Sequence, residues 1–413
     1  MKTVGIIAEY NPFHNGHKYH IEQAKKITGA DAVIVVMSGN FVQRGEPAII
    51  NKWKRAESAL NHGADLIIEL PTYYALSSAE MFAYGSISLL DLLGVDTVVF
   101  GSEHGEIEPF YRLASYLNAL ETDHIEALQK LMKDGHPFAT ARSLLMKKLY
   151  DLSKEDELLL NSPNNILGVE YVKSLLKLKS TVKADTIKRK GSHYHSTNID
   201  EQIASATAIR QFLLEKTTHH TSLSPDDWTH LNRQVPENTF KHLQDSSFAN
   251  SDSVFPLLRY KLMVSNSNDL ASIHDVREGI ENKILKSFGH ATSYNDLVTK
   301  CKSKRYTYTR LSRILMKILL GIQHEDIGYI KHEKRPEYAR ILGFTNVGSK
   351  YLKQSRKNED VQLITNLKNV KSPSVFSQKM LATDILATNI YSEFDPDIRF
   401  GEDHYHQPCV VSI

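Results

Sequence analysis

Cysteine is nearly absent from this chain of 413 residues, which has only Cys301 and Cys409. They stand far apart and without metal-knuckle spacing, so neither a disulfide scaffold nor a cysteine zinc site is offered. No apolar run approaches the roughly 18 residues needed to span a bilayer. The N-terminus lacks the basic region and apolar core of a signal peptide, so the cytoplasm is the expected compartment and no membrane partner is expected. An excess of one charge is lacking too: 50 Lys and Arg against 48 Asp and Glu leave +2. That balance does not by itself call for nucleic acid. The phosphate signature GxxxxGK followed by Ser or Thr is missing, as is GxGxxG. No Ser, His and Asp are arranged around a nucleophile turn. P-loop, dinucleotide and serine-hydrolase chemistry are therefore set aside.

What is present is a globular composition, 41% hydrophobic and 24% charged, at a length that suits roughly two or three domains. The chain opens on an apolar run, Val4 to Ala8, which reads as a buried strand. It breaks at Asn11-Pro12, passes His14, Gly16 and His17, and enters a helical pattern with Ile21 and Ala24 on one face. Further strands are expected at Ala32–Met37, Asp65–Leu70, Asp96–Phe100 and Ala184–Lys188. Helices are expected over about 50–62 and 77–90 between them. Alternating strands and helices imply βαβ units and a mostly parallel sheet covered on both faces. Residues 106–160 read as helices, with a charge run at Asp151–Glu157.

Ligands of such sheets sit beyond the carboxyl ends of the strands. Three unusual segments fall there: Asn11–His17, Ser38–Glu46 and Gly101–Glu103. The free N–H groups of a helix start form an anion site, and Gly16 would let a phosphate approach the backbone. Two imidazoles three residues apart can face that space, or they can simply cap the helix. Arg44, Lys52 and Arg55 could supply charge to a triphosphate, or be ordinary surface residues. Downstream, Asn164 or Asn165 can cap a helix from about 169 or read a base or ribose. Lys188-Arg-Lys-Gly191 is a basic cluster at a strand end. In Ile203–Arg210, Ser205 or Thr207 can cap a helix and Arg210 can reach the same anion. The expected nucleotide site is thus lined by His14, His17, Lys188, Arg189, Ser205, Thr207 and Arg210. The chemistry that fits is nucleotidyl transfer at an α-phosphate, in which the protein holds ATP, neutralises charge and aligns the attacking group. Mg²⁺ on the triphosphate is expected, and no residue is picked as a metal ligand.

Residues 216–254 lose periodicity and read as a variable polar region or linker; the adjacent His219 and His220 are weak metal candidates. From 255 to 413 the pattern is mainly helical, with a strand-like run at Ala339–Phe344. Lys302–Arg313 mixes Lys304, Arg305, Arg310 and Arg313 with Tyr306 and Tyr308, which suits phosphates and unpaired bases, or a solvated surface. A second charged run covers Lys331–Arg340. The tail from Asp384 reads as helix and then irregular chain, with Asp403, His404 and His406 as a weaker metal candidate than terminal disorder.

His14-Asn-Gly-His17 resembles the HxGH motif of the nucleotidylyltransferase superfamily. Ala204–Arg210 resembles its second motif, with Ala where Ser is common. Longer stretches are similar to the bacterial tRNA(Met) cytidine acetate ligase family. They are Gly5-Ile-Ile-Ala-Glu-Tyr-Asn-Pro-Phe-His-Asn-Gly-His17, Ser38-Gly-Asn-Phe-Val-Gln-Arg-Gly-Glu-Pro-Ala48, Gly101-Ser-Glu103, Ser162-Pro-Asn-Asn-Ile-Leu-Gly168 and Arg335-Pro-Glu-Tyr-Ala-Arg-Ile-Leu-Gly-Phe344. These fragments span nearly the whole chain.

The resemblance implies an α/β fold: a Rossmann-like nucleotidyltransferase domain over 1–215 with a mainly helical domain attached. It implies a ligase in tRNA processing that activates acetate with ATP as acetyl-adenylate. The acetyl group then passes to the N4 amine of the wobble cytidine (position 34) of elongator tRNA(Met), giving N4-acetylcytidine. It implies that His14 and His17 are catalytic. ATP contacts would come from Ile7, Ala8, Glu9, Tyr10, Asn11, Pro12, Phe13, His14, Asn15, Gly16, His17, Lys18, Tyr19 and His20. Gly101, Asn164 (preferred over Asn165) and Arg189 would add to them. The helical half would help hold the anticodon arm, with Lys304, Arg305, Arg310 and Arg313 as candidates. Two rivals share the residues: a small-molecule adenylyltransferase that does not need the helical half, and an RNA-binding protein with a degenerate nucleotide site.

Overall fold

The computed structural model describes residues 1–136, 138–189, 203–217, 223–331, 335–355, 360–371 and 374–412. Lys190 and Gly191 of the basic cluster, the His219–His220 pair and residues 332–334 lie outside them. The core is a sheet in which β1 (Thr3–Ala8) pairs in parallel with β2 (Ala32–Ser38). A two-residue-by-two-residue hairpin follows, β3 (Phe41–Val42) and β4 (Glu46–Pro47). Strands β5 (Leu66–Leu70), β6 (Thr97–Ser102) and β7 (Lys183–Lys188) extend the sheet in parallel on either side. Every residue of β2 and β5 is buried, as expected of strands covered by helices on both faces.

The parallel part runs β5-β2-β1-β6-β7, so the order reverses between β1 and β6. A crevice opens beyond the carboxyl ends of strands at such a switch point. Helix Asn15–Thr28 starts there; it buries Ile21, Ala24 and Thr28 and ends at Gly29 in the left-handed conformation.

The expected separation at 255 does not describe the sheet. β8 (Tyr338–Thr345) pairs antiparallel with β5, and β9 (Gln362–Ile364) and β10 (Cys409–Val411) pair with β8. The C-terminal segment therefore completes the N-terminal sheet, and the tail ends as a strand rather than as irregular chain. The reason is electrostatic as well as apolar. Lys52 Nζ lies 2.8 Å from Glu69 and 3.0 Å from Asp403, while Arg340 lies 2.6 Å from Asp403 and 3.5 Å from Glu69. All four side chains are buried, and the two cations balance the two carboxylates. Asp403 is thus occupied by cations, and His406 stacks on Trp53 with ring centroids 4.2 Å apart. No group of three or more metal-ligating side chains stands among the described residues.

The expected linker contains helices Pro225–Asn232 and Glu237–Gln244. They bury Leu231 and Leu243 in a cluster with Ile209 and Leu213 of helix Ala206–Thr217. Among the described residues no helix is long and apolar enough to cross a membrane. Replacing Lys52 with Met would leave two buried carboxylates facing one guanidinium. The expected cost is about 3–5 kcal/mol, read as a lower urea midpoint at unchanged slope.

Candidate active site

A cavity of about 240 Å³ opens at the switch point. Its floor is the chain leaving β1: Glu9, then Tyr10, whose backbone is left-handed at φ 47°, then Asn11. Asn11 accepts from the Ile49 N–H at 2.7 Å, and its carbonyl accepts from Arg210 at 2.7 Å. The chain then turns into helix Asn15–Thr28 with His14 as N-cap in extended conformation.

The histidines both cap the helix and face the cavity. His14 Nδ1 accepts from the Gly16 N–H at 3.0 Å, and His17 Nδ1 accepts from the His14 N–H at 3.3 Å. An imidazole whose Nδ1 accepts carries its proton on Nε2 when neutral. Each cap therefore commits its ring to the Nε2–H tautomer. The rings lie 3.8 Å apart, centroid to centroid. Burial, with Arg189 and Arg210 adding to it, lowers the pKa of His14 to about 3. Burial also holds His17 well below its ordinary range, with His14 and Arg189 contributing. His20, one turn on, is lowered by burial to about 4. The site thus presents neutral imidazoles. Gly16 is required by this packing: a Cβ there would meet His14 Cε1 at 2.7 Å.

Opposite stands the start of helix Ala206–Thr217, where Ser205 Oγ accepts from the Ala208 N–H at 3.1 Å. Ser205, Thr207 and Arg210 line the cavity from there. Gly101, Asn164, Lys188 and Arg189 line it from the β6–β7 side. Asn164 donates to Glu103 at 2.7 Å, whereas Asn165 is buried and accepts from the Glu103 backbone N–H at 3.2 Å. Asn164 is the one of the pair at the cavity wall.

Of the fourteen residues Ile7–His20, four do not line the cavity. Pro12 and Phe13 are turned inward, and Phe13 packs on Tyr10 and His62. Asn15 donates from its backbone to Gln234 and from its amide to Arg233. Lys18 is exposed on the outer face of the helix. Lys52 and Arg55 are also not in the cavity; both are fully buried and bonded elsewhere. Arg44 does line it, together with Gln43 of the hairpin turn. Gln43 donates from its backbone to Glu9 at 2.8 Å. Burial raises the Glu9 pKa against the opposing pull of Arg44 and Arg210.

Two residues not singled out individually in the sequence support the site, Gln43 at its wall and Gln234 behind it. Gln43 sits on a hairpin too short for periodicity. Gln234, from the expected linker, ties both helix starts together: its carbonyl accepts from Asn15 N–H at 3.0 Å, and its Oε1 accepts from Ala204 N–H at 2.9 Å.

The basic stretch of the helical half is divided. Lys304 and Arg305 are exposed, and Arg305 pairs with Glu278 at 2.9 Å. Arg310 is half-buried on Asp275 at 2.7 Å and stacks over Tyr306. Arg313 points inward and donates to the Gln43 carbonyl at 3.3 Å. Tyr306 is buried and so is not free to stack on a base.

A Rossmann-type sheet that delivers His14-x-Gly-His17 to one helix start, across from a second helix start with Arg210, defines a HIGH-type nucleotidyl transferase. A family model described as HIGH Nucleotidyl Transferase matches residues 1–404. The chain is 43% identical over 418 residues to a tRNA(Met) cytidine acetate ligase of Clostridium perfringens, covering 99% of this chain and 100% of that protein. It is 41% identical over 390 residues to the protein of that name from Anoxybacillus flavithermus, covering 93% and 94%. Its fold matches the apo crystal structure of Thermotoga maritima TmcAL with a TM-score of 0.91 at 33% identity, over 100% of both chains. The match to that protein bound with alpha-thio ATP has a TM-score of 0.89, also at 33% identity and full coverage. The chain belongs to the tRNA(Met) cytidine acetate ligase family.

Two outcomes are expected. Gly16→Ala displaces the His14 ring and weakens ATP binding by about tenfold or more. Stability changes little, because the better helix propensity of Ala offsets the lost cap; calorimetric titration and urea melts read the two separately. Second, His14 and His17 stay neutral in the free protein at about pH 5, which ring ¹⁵N shifts report. In the unfolded chain they take up protons at the ordinary 6.5, and in the folded chain only well below it. The unfolded state binds more protons in between. Their contribution to stability is therefore full above about pH 6.5 and lost as pH falls.

Proposed function

We propose that this chain is an ATP-dependent ligase that makes N4-acetylcytidine at the wobble position of elongator tRNA(Met), working in the cytoplasm. The observation that carries the reading is the pair of Nε2–H imidazoles set between two helix starts in one cavity, in a chain related over its whole length to proteins of that name. In the first step an acetate oxygen attacks the α-phosphorus of ATP and the bond to the pyrophosphate oxygen breaks. In the second, the cytidine N4 attacks the acetyl carbonyl, the bond to AMP breaks, and N4 gives up a proton.

The residues divide the work. His14 and His17 donate neutral hydrogen bonds to phosphate oxygens. The N–H groups of the first turn of helix Ala206–Thr217 do the same from the other side of the cavity. Arg210 and Arg189 supply charge that offsets the negative charge growing on the leaving pyrophosphate. Asn164 and Gly101 take the nucleoside end, on the β6–β7 side. A Mg²⁺ bound by the triphosphate would supply further neutralisation of its charge. Among the described residues, Glu9 is the one carboxylate at the cavity wall, and it is engaged by Gln43. Such a cation would therefore be held mainly by phosphate oxygens and water. Lys304 and Arg305 are the exposed cations offered to RNA.

Acetate is small, and each missing or added methylene discriminates by only about 1–3 kcal/mol. Size exclusion therefore has to come from a closed cavity. Incubating tRNA with the protein, ATP and isotopically labelled acetate, followed by nucleoside mass spectrometry, is expected to show one labelled acetyl group on one cytidine. Labelled acetyl-adenylate without labelled cytidine would identify a small-molecule adenylyltransferase instead.

A further inference from the structure

The hairpin β3–β4 joins the cavity to the helical half. At its turn, Gln43 and Arg44 line the cavity, and the Gln43 N–H is bonded to Glu9 on the floor. The other side of the same turn rests on helix Tyr308–Leu320. Gly45, at φ 81°, packs so closely that a Cβ would come within 2.3 Å of the Arg313 backbone nitrogen. The buried Tyr294 hydroxyl lies 3.4 Å from the Gly45 carbonyl and 3.2 Å from the Ser312 carbonyl, and so bridges turn and helix. Arg313 donates to the Gln43 carbonyl at 3.3 Å. At the base of the hairpin, Glu46 pairs with Arg210 at 3.3 Å, and Arg210 in turn holds Asn11.

We propose that Arg313 is a positioning residue of the adenylation site: it holds the Gln43 carbonyl so that the turn presents Gln43 and Arg44 to the cavity. Its position in a basic run suggests RNA contact, but its guanidinium is committed to the turn. Helix Tyr308–Leu320 thereby backs the turn that forms part of the cavity wall, while its neighbours Lys304 and Arg305 face outward. Anything that shifts this helix moves the turn with it. The kinetic consequence rests on the acetate-activating reading above, whereas the mechanical link rests on these contacts alone.

The test compares the native protein with Arg313→Met, Arg313→Lys and Gly45→Ala. Hydrogen exchange by mass spectrometry is expected to show amides in 41–47 losing protection by about tenfold or more in Arg313→Met. Helix Tyr308–Leu320 should keep its protection. Arg313→Lys should restore part of it, because an ammonium can still donate to the Gln43 carbonyl. Gly45→Ala should release the hairpin with Arg313 intact, which separates positioning from any direct role of the guanidinium. Acetate-dependent ATP–pyrophosphate exchange should fall between about 10- and 100-fold in Arg313→Met, with the tRNA Kd within about twofold of native. Unchanged hairpin exchange overturns the proposal, as does weakened tRNA binding with unchanged pyrophosphate exchange. Failure of the acetate reading itself would show differently, as no pyrophosphate exchange in the native protein, and would leave the hairpin result to decide the link.

Discussion

The cavity floor hangs on one fully buried guanidinium. Arg55 is fully buried and donates to the carbonyls of Ile50, Glu9, Ser38 and Gly39. Ser38 ends β2, Glu9 follows β1, and these two strands are neighbours in the sheet. Beyond their last residues the ladder stops, so these carbonyls need partners from elsewhere. A single Arg, with five donors in a fixed fork, supplies them. Burial lowers its pKa to about 10, which still leaves it charged at neutral pH. The sheet can therefore open into a crevice directly above this point without leaving its strand ends unpaired.

A second buried set of charges does the corresponding job at the side of the sheet. Lys52 and Glu69 come from the N-terminal βαβ units, and Arg340 and Asp403 from the far end of the chain. Removing two carboxylates and two cations from water is costly, and replacement by packed apolar side chains can be neutral or better. What the set does supply is registry. β8 lies antiparallel to β5 with Arg340 opposite Glu69, so a shift by one residue would carry the guanidinium to the other face.

How much of this is legible in sequence follows from where each partner sits along the chain. The parallel strands are legible because burial on both faces makes them continuous apolar runs, as in Ala32–Ser38. The return of the C-terminal segment to the sheet is not. β9 and β10 are three residues long, shorter than any periodicity can register, and the partner of Tyr338–Thr345 lies far upstream. Lys52 and Arg55 look like phosphate ligands for the same reason: a cation near a nucleotide motif is read as exposed until its distant partners are known. In the site, His14, Gly16 and His17 are legible because strand, turn and helix are contiguous. Contiguity also sweeps in Phe13 and Lys18, which the turn and the helical period direct away. Gln43, Gln234 and the inward side of Arg313 depend on contacts between segments that no local pattern links.

The caps at the helix start also decide what the histidines can contribute. With each Nδ1 accepting a backbone N–H, each ring has one proton to offer, on Nε2. Protonating either ring would cost a cap, and protonating both would set like charges about 4 Å apart, an interaction on the order of 4 kcal/mol at an effective dielectric near 20. Positive charge at the cavity is therefore left to Lys188 and to Arg44, Arg189 and Arg210. Those arginines come from three separate segments, and Arg210 is bonded both to Asn11 and to the hairpin at Glu46. Directional hydrogen bonding is thus built into one rigid strand–turn–helix unit, while the charge is brought in by segments that other parts of the fold hold in place. A cavity assembled in this way keeps its geometry where bonds to phosphorus form and break. Through the turn at Gln43, the helical half touches the segment that carries one of those charges, Arg44.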